Sequence, residues 1–483
     1  MNERAPESSL SPMEVYTAER KRHWGSRTTI ECGNNAAPRA YRRTLAHLYR
    51  FLVPQGARVL EVGCGSGDLL AAVQPSRGYG IDFSEERLER VNATTLPSVT
   101  FHNQDAHSFR VDEAIDYVIL SDLVDDLWDV EAALRNLAGQ ISPDTRVIIN
   151  SYSKIWEWPL WLARKFRLAT PLLRQNWLSP HDIQNIARLA GFECVSTSPE
   201  ILLPLDIPIL STLFNRYLVR LWPFRLFALT NFYVLRKRTL RPEAELTVSV
   251  IVPARNEAGH IADLLRRIPK MGRETEVIFV EGNSTDDTFE VIQRELSSRT
   301  DITSALYKQD KKGKRNAVEL GFAKASGDIL MILDADISVL PEDLPKFLRA
   351  WSSGAGEFIN GVRLVYPMEG NAMRPLNLLG NRAFSLAISW VLGQKLQDTL
   401  CGTKVLHRDQ YAKIVASRSY FGDFDPFGDF DLIFGAAKQN LQIIDLPIRY
   451  HERVYGETNI ARWRHGVILL KMVLLAARKF KFR

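Results

Sequence analysis

Two runs of alternating strand and helix patterns, separated by one charged stretch, constrain this chain more than any other feature of its sequence. In the first, residues 41–235, short apolar or β-branched runs recur at Arg58–Glu61, Gly78–Ile81, Val99–Phe101, Tyr117–Leu120 and Val147–Asn150. Helical patterns such as Glu85–Val91 and Val130–Ala138 fall between them. Such alternation predicts a mainly parallel sheet wrapped by helices. Residues 236–246 (RKRTLRPEAEL) are charged, poor in apolar side chains and carry Pro242, as a linker would. A second alternation opens with Thr247–Pro253, passes through a helix over His260–Ile268, and continues in strands at Glu276–Val280, Ile302–Tyr307 and Ile329–Leu333. The expected fold is α/β throughout, as two tandem Rossmann-like domains. Residues 1–40 form an extension, 41–235 and 247–460 the domains, and 461–483 a basic amphipathic C-terminal helix.

Length and composition agree with this division. A chain of 483 residues has room for two to four domains, and a charged fraction of 24% excludes a wholly disordered polymer. The four cysteines, Cys32, Cys64, Cys194 and Cys401, form no CxxC pair, which argues for a reducing compartment and against a disulfide scaffold or structural zinc. A net charge of +6 is too small to indicate nucleic acid as a partner, and no aromatic-basic binding motif marks one. The first twenty residues lack the apolar core of a signal peptide, and no stretch reaches the ~18 apolar residues of a spanning helix. A cytoplasmic protein is expected. Two acid-free segments, Phe214–Pro242 and Lys471–Arg483, mix cations with aromatic and aliphatic side chains. They suit peripheral contact with the anionic inner face of the cytoplasmic membrane.

The first chemical constellation is VLEVGCGSGDLL, residues 59–70, an apolar strand running into Gly63, Gly65 and Gly67 and then a helix. Glycines are required where backbone must approach a ligand closely. Asp82 ends the next strand, 19 positions after Gly63, where a carboxylate can accept ribose hydroxyls. The turn is one residue tighter than GxGxxG, which leaves less room for a pyrophosphate, and Gln104-Asp105-Ala106 follows a third strand. With GIDFSEERLERV, FHNQDAHSF and YVILSDLVDDLWD, these stretches resemble the class I S-adenosylmethionine-dependent methyltransferases over about residues 40–235. The resemblance implies that Gly63 and Gly65 line the methionine moiety, with Glu61 and Gly67 in the same cofactor turn. It further implies that Asp82 holds the ribose and Asp105 the adenine amino group, while Ser121 and Asp122 close the pocket. His102, His107 and His181 are conceivable bases for methyl transfer, but each reads better as a surface or satisfied histidine. A competing reading makes this half a non-catalytic scaffold or membrane-docking module.

The second constellation begins where the strand Val248–Val252 runs into Pro253-Ala-Arg255-Asn-Glu257, at the kind of strand end that holds ligands in open α/β sheets. The next strand ends in Glu281-Gly282-Asn283-Ser284. Residues 331–338 (MILDADIS) carry an apolar strand straight into Asp334 and Asp336. Two carboxylates so close at a strand end repel unless a cation lies between them, and a Mg²⁺ or Mn²⁺ bridging to a diphosphate is the natural partner. Lys314, placed before a helix, is positioned to meet a phosphate.

VSVIVPARNE, VIFVEGNSTDDT, GKRNAVELGFAKASGDILMILDADIS, INGVRL, DTLCGTKVL and RYHERVYGETNI resemble the family 2 glycosyltransferases of the GT-A fold, in particular the dolichol-phosphate mannose synthase-like branch, over roughly 247–460. The resemblance implies a UDP- or GDP-sugar donor held by Pro253, Arg255, Glu257, Glu281, Lys314, Asp334, Arg363 and Arg453, and a metal on Asp334 and Asp336. It implies inverting single displacement, with Asp336 catalytic, Asp429 or Asp431 as base for a hydroxyl acceptor, and arginine clamps for a polyprenyl-phosphate or lipid-linked glycan acceptor. Two departures stand out: Glu281-Gly282-Asn283-Ser284 replaces the usual Asp-Asp-Gly-Ser, and Asn459 replaces a lysine in the terminal pattern.

Overall fold

A computed structural model describes residues 11–26, 36–91, 97–166, 173–367, 375–421, 428–451 and 462–483. The chain divides after Arg238 into two compact units.

In the first unit the strands are β1 (Arg58–Val62), β2 (Arg77–Asp82), β3 (Val99–Asn103), β4 (Tyr117–Ser121), β5 (Arg146–Tyr152), β6 (Phe192–Glu200) and β7 (Thr230–Lys237). They form one sheet in the order β3-β2-β1-β4-β5-β7-β6, parallel except for β7, which runs antiparallel to both β5 and β6. The strand order reverses between β1 and β4, which opens a crevice beyond their C-terminal ends. Val59, Val118, Ile119 and Ile148 are wholly buried, as central strands covered on both faces require. The principal helices are α1 (Pro12–Gly25), α2 (Ala36–Leu52), α3 (Asp68–Val73), α4 (Val130–Ala138), α5 (Glu157–Lys165) and α6 (Pro180–Leu189). Ser11 and Glu14 form a reciprocal capping box with Pro12 at the first turn, and Ser179, Pro180 and Asp182 repeat the device at α6.

The second unit continues with β8 (Thr247–Ala254), α7 (Ala258–Arg267), β9 (Glu274–Glu281), α8 (Thr288–Ser298), β10 (Thr303–Lys308), α9 (Lys314–Lys324) and β11 (Ile329–Ile332). It is completed by α10 (Leu344–Ser352), β12 (Phe358–Val362), α11 (Pro375–Leu392), β13 (Lys404–His407), α12 (Arg408–Ala416), α13 (Asp429–Lys438), β14 (Ile443–Pro447) and α14 (Arg462–Ala476). The sheet order is β10-β9-β8-β11-β13-β12-β14, with β13 antiparallel to its neighbours. Both sheets have seven strands and are mixed rather than purely parallel.

Two expectations change on contact with the structure. Eight residues of the basic segment Phe214–Pro242 are not surface helix: Thr230–Lys237 is the largely buried antiparallel strand β7, and Arg236 is covered by its ion pair with Glu193 on β6. The stretch before β8 belongs to the second unit, since Arg241 N donates to Ser352 O and Leu246 is buried among the core side chains of that unit. In the C-terminal helix, Leu469, Met472 and Ala476 pack into the core of the second unit while Val467, Leu470 and Leu474 face outward.

Candidate active sites

At the end of β1 the chain turns through Gly63, Gly65 and Gly67, all with positive φ (77°, 55° and 77°). A Cβ at Gly65 would lie 2.4 Å from Arg87 Nη2, and one at Gly63 would lie 2.8 Å from Leu123 Cδ1, so both conformation and space demand glycine. The turn walls a cavity of about 680 Å³ that Glu61, Asp82, Asp105, Ser121 and Asp122 also line. This volume is in the range of small-molecule sites. Glu61 is 3% exposed, and its Oε2 has no hydrogen-bond partner. Burial, with Asp68 and Asp82 nearby, pushes its carboxyl well above the usual range. An orphaned buried oxygen on a cavity wall fits a ligand that brings a cation or donor, such as the ammonium of an amino-acid moiety.

Asp82 also has a structural task. Its Oδ2 accepts Gly65 N at 2.8 Å and its Oδ1 accepts Ser84 N at 2.9 Å, while Arg87 Nη1 stands 3.9 Å away. The carboxylate therefore fixes the glycine turn as well as facing the cavity. Asp105 Oδ1 accepts from His107 N and lies 2.8 Å from His107 Nδ1, a contact that holds its carboxyl low. His107 is thus a satisfied histidine, its Nε2 accepting from Asp129 N at 3.3 Å.

Two features of this site were not read from the sequence: the hydrogen-bond network that holds Asp122, and the part that α1 takes in the wall. Asp122 sits in the left-handed region (φ 52°), and its Oδ1 accepts Tyr41 OH at 2.9 Å and Asn150 Nδ2 at 2.5 Å. Asn150 Oδ1 in turn accepts Tyr49 OH at 2.6 Å. Burial outweighs these donors and lifts the Asp122 carboxyl to about 6. The spacing of Tyr41 and Tyr49 on one face of α2 was the available signal. Helix α1, within what reads as an extension, supplies Tyr16, Arg20 and Trp24 to the cavity wall at helical spacing. Trp24 Nε1 donates to Asp126 Oδ2 at 2.7 Å, Arg20 Nε lies 3.4 Å from Asp126 Oδ1, and Tyr16 OH donates to Leu127 O at 3.4 Å.

In the second unit, β11 delivers the chain to Asp334 and Asp336. Lys314 Nζ is ion-paired with Asp334 Oδ1, and Asp429 and Asp336 also raise its pKa against the opposing effect of burial. Asp336 is 5% exposed, with Oδ1 accepting Ser338 N at 3.0 Å and Ser338 Oγ at 2.7 Å. Gly402 presses its backbone on this cluster: a Cβ there would lie 2.1 Å from Asp334 Oδ2 and 2.4 Å from Lys314 Nζ. Among the described residues no three His, Cys, Asp or Glu side chains gather as a closed metal cage. Two carboxylates beside a cation fit Mg²⁺ or Mn²⁺, which take one or two protein carboxylates and complete their shell with phosphate oxygens and water.

The strand-end loops after β8 and β9 are laced together. Asn256 N donates to Ser284 Oγ at 3.0 Å, Thr285 N to Asn256 Oδ1 at 2.8 Å, and Ser284 N to Glu281 Oε1. Glu281 Oε2 and Gln309 Oε1 are both buried without a partner, and Gln309 Nε2 lies 3.3 Å from where a Gly282 Cβ would stand. These orphaned oxygens can accept from a nucleobase edge. Asp286 caps α8 through Thr288 N. Pro253, one residue before the end of β8, is partly buried, Arg255 is exposed, and Glu257 Oε2 lies 2.9 Å from His260 Nδ1.

Other expected site residues separate into distinct roles. Asp429 Oδ1 lies 3.6 Å from the fully buried Lys404 Nζ, within the electrostatic reach of Lys314. Asp431 is instead buried and lies in an ion pair with Arg418 at 2.7 Å. Arg363 is engaged rather than open to a phosphate: its Nε and Nη2 bond Asp398 at 2.7 and 3.0 Å. Arg453 and Asn459 lie outside the described residues. Gly402, Lys404, Asn360 and Asp398 escaped notice because their partners lie far off in sequence.

Two mixed α/β sheets, one carrying a glycine turn closed by an acid-ended neighbour strand and the other a carboxylate pair at a strand end, define a chain of two transferase-type domains. The chain carries a methyltransferase domain, matched over residues 37–197, and a glycosyl transferase family 2 domain, matched over residues 249–415. Among curated relatives it is 28% identical over 232 residues to the low-salt glycan biosynthesis hexosyltransferase Agl6 of Haloferax volcanii, covering 46% of this chain and 53% of that protein. It is 37% identical over 112 residues to a dolichol-phosphate mannosyltransferase of Pyrococcus furiosus, covering 23% and 31%. It is 25% identical over 221 residues to an undecaprenyl-phosphate 4-deoxy-4-formamido-L-arabinose transferase of Pseudomonas aeruginosa, covering 45% and 61%. The chain thus spans between about a third and three fifths of these relatives' lengths.

Proposed function

We propose that this chain is a bifunctional transferase. Its second domain moves a sugar from a UDP- or GDP-sugar to a polyprenyl-phosphate or lipid-linked acceptor, and its first transfers a methyl group from S-adenosylmethionine. The observation that carries the sugar-transfer reading is the Asp334–Lys314 pair at the end of β11, held against the Gly402 backbone with Asp336 and Asp429 around it. The names of relatives that act on dolichol or undecaprenyl phosphate support the acceptor class.

In this reading Glu281 and Gln309 receive the base, Lys314 meets the donor diphosphate, and Asp334 and Asp336 hold the divalent ion. That ion supplies charge neutralisation for the leaving diphosphate. A phosphate acceptor attacks the anomeric carbon from the face opposite the diphosphate; the new C–O bond forms as the bond to the β-phosphate oxygen breaks, and the electron pair leaves with the nucleoside diphosphate. An anionic acceptor needs no base, which accords with Asp431 being tied to Arg418; with a hydroxyl acceptor, Asp429 is the carboxylate at the cluster.

In the first domain S-adenosylmethionine supplies an electrophilic methyl group. Glu61, Gly63, Gly65 and Gly67 would hold its methionine part, and Asp82, Asp105 and Ser121 its nucleoside.

The test is incubation of the protein with labelled UDP- and GDP-sugars and polyprenyl phosphate, with divalent metal chelated and restored, followed by solvent extraction. Metal-dependent label in the organic phase is expected; label only in aqueous polysaccharide or protein defeats the lipid-acceptor reading. For the first domain, Glu61→Gln keeps the shape of a buried side chain but cannot ionise when a cationic group of the ligand meets it. Isothermal titration should show S-adenosylmethionine binding weakened about 10–100-fold, the loss of one charge-assisted hydrogen bond. Unchanged affinity would remove Glu61 from the binding set.

A further inference from the structure

Between β6 and β7 the chain makes an excursion, residues 201–229, whose fastening and surface point in opposite directions. Its fastening is polar and firm. Arg220 is 6% exposed and meets buried Glu200 through two bonds of 2.6 Å, Nη1 to Oε1 and Nη2 to Oε2. Asn215 Oδ1 accepts Leu202 N and Leu203 N, and its Nδ2 donates to Leu203 O, all at 2.8 Å. Its outer surface is apolar: Ile209 is 84% exposed, Trp222 77%, Leu226 55% and Phe227 53%. Trp156 Nε1 donates to Phe227 O at 3.0 Å and so brings the neighbourhood of α5 beside this excursion. That helix adds Trp158 (74% exposed), Trp161 and the following Phe166.

Large apolar side chains left in water on a well-fastened scaffold, in two stretches joined by the Trp156–Phe227 hydrogen bond, mark an interaction surface. The charges around it select the partner. Lys154, Arg164, Lys165, Arg216 and Arg225 stand among these residues, against Glu157 and an Asp206 already ion-paired with Arg43. Tryptophan and phenylalanine tips offered from several short stretches, with cations between them, suit a fluid anionic interface better than the fixed relief of one protein partner. None of the helices among the described residues is long and apolar enough to cross a membrane, so the contact this face makes is peripheral.

We propose that this face of the methyltransferase unit, built from residues 154–166 and 205–227, docks the enzyme on anionic phospholipid bilayers. The proposal deepens the lipid-acceptor reading, since it gives the sugar-transferring enzyme a way to hold its place where a polyprenyl-phosphate acceptor resides. The cations contribute electrostatic attraction and the aromatic rings enter the headgroup boundary, so binding depends on both anionic lipid and exposed aromatics.

The experiment is flotation of the full chain with vesicles of phosphatidylcholine alone or with phosphatidylglycerol, at low and high salt. Wild-type protein should float with the anionic vesicles, less so at high salt. The pair Trp158→Ser and Trp222→Ser should lower the partition coefficient at least tenfold. Arg216→Gln with Arg225→Gln should lower it several-fold and flatten the salt dependence. These side chains are exposed or half-buried, and an unchanged near-ultraviolet spectrum and thermal midpoint will verify the fold. Sugar transfer to a short, water-soluble polyprenyl phosphate is measured in parallel. Lost flotation with soluble transfer intact supports docking through this face. Variants that float like wild type, or a wild-type protein that fails to float, overturn it, as does a tryptophan pair whose only effect is to turn a dimer into a monomer. Wild-type flotation lost in the tryptophan variants, with no sugar transfer by any of them, would sink the acceptor reading and leave the docking face standing.

Discussion

Asp336→Asn should abolish most sugar transfer, by about 10³-fold, while leaving the fold nearly untouched. The substitution is chosen for what it preserves. Asp336 Oδ1 accepts two bonds from Ser338, N at 3.0 Å and Oγ at 2.7 Å, and an asparagine oxygen can accept both. Shape and local hydrogen bonding survive, so the thermal midpoint should move by no more than ~1 kcal/mol allows. The negative charge is lost. On the proposed reading, in which Asp336 would help to hold a divalent ion against the donor diphosphate, loss of one electrostatic contact costs about 10²–10³ in rate. Label transfer and a thermal melt on the same preparation check the prediction. Activity above a tenth of wild type would mean that the diphosphate charge is met elsewhere.

Arg363→Met should destabilise the second unit strongly. The Asp398 side chain is wholly buried and accepts from Arg363 Nε and Nη2, Asn381 Nδ2 at 2.8 Å and Leu400 N at 3.0 Å. Removing the guanidinium leaves a buried carboxylate without its counter-charge, a loss of about 3–5 kcal/mol. The pair also makes stability depend on acid. Burial pushes the Asp398 carboxyl up, but Arg363 and the surrounding donors more than reverse this and hold it at about 2. An unfolded aspartate titrates near 3.9, so the folded value is depressed. The resulting stabilisation is complete above pH ~4 and is lost as pH falls from there through about 2; it amounts to roughly 2–3 kcal/mol. Urea midpoints at pH 7 and pH 3 should show the wild-type protein losing part of this increment, and Arg363→Met lacking it at both. Equal pH dependence in the two proteins would disprove the assignment.

These two sites illustrate what a linear sequence discloses. The strand end that carries Asp334 and Asp336 was legible because its pattern is local: an apolar strand running into two carboxylates needs no distant residue to be seen. The same holds for Gly63, Gly65 and Gly67, where a strand, a turn and a helix are consecutive. Strand positions were readable to within a few residues wherever apolar side chains had no competing charge, as at Arg58–Val62 and Thr247–Ala254. Strand β7 was not, because Arg236 and Lys237 made its end look like surface, and only the pairing of Arg236 with Glu193 shows how a cation is accommodated there. The pairing of Arg363 went unseen for a like reason: Asp398, which it meets, stands on another stretch of chain. Gly402 and Lys404 had no visible role until folding set one against Asp334 and buried the other beside Asn360.

Helix α1 gives the first cavity a wall that the sheet does not supply. Trp24 and Arg20 both grip one carboxylate, Asp126, and Tyr16 adds a backbone contact, so the helix is pinned along its inner face at successive turns. Part of the wall of this cavity is therefore built by a piece of chain outside the sheet, at a distance in sequence from the glycine turn it faces.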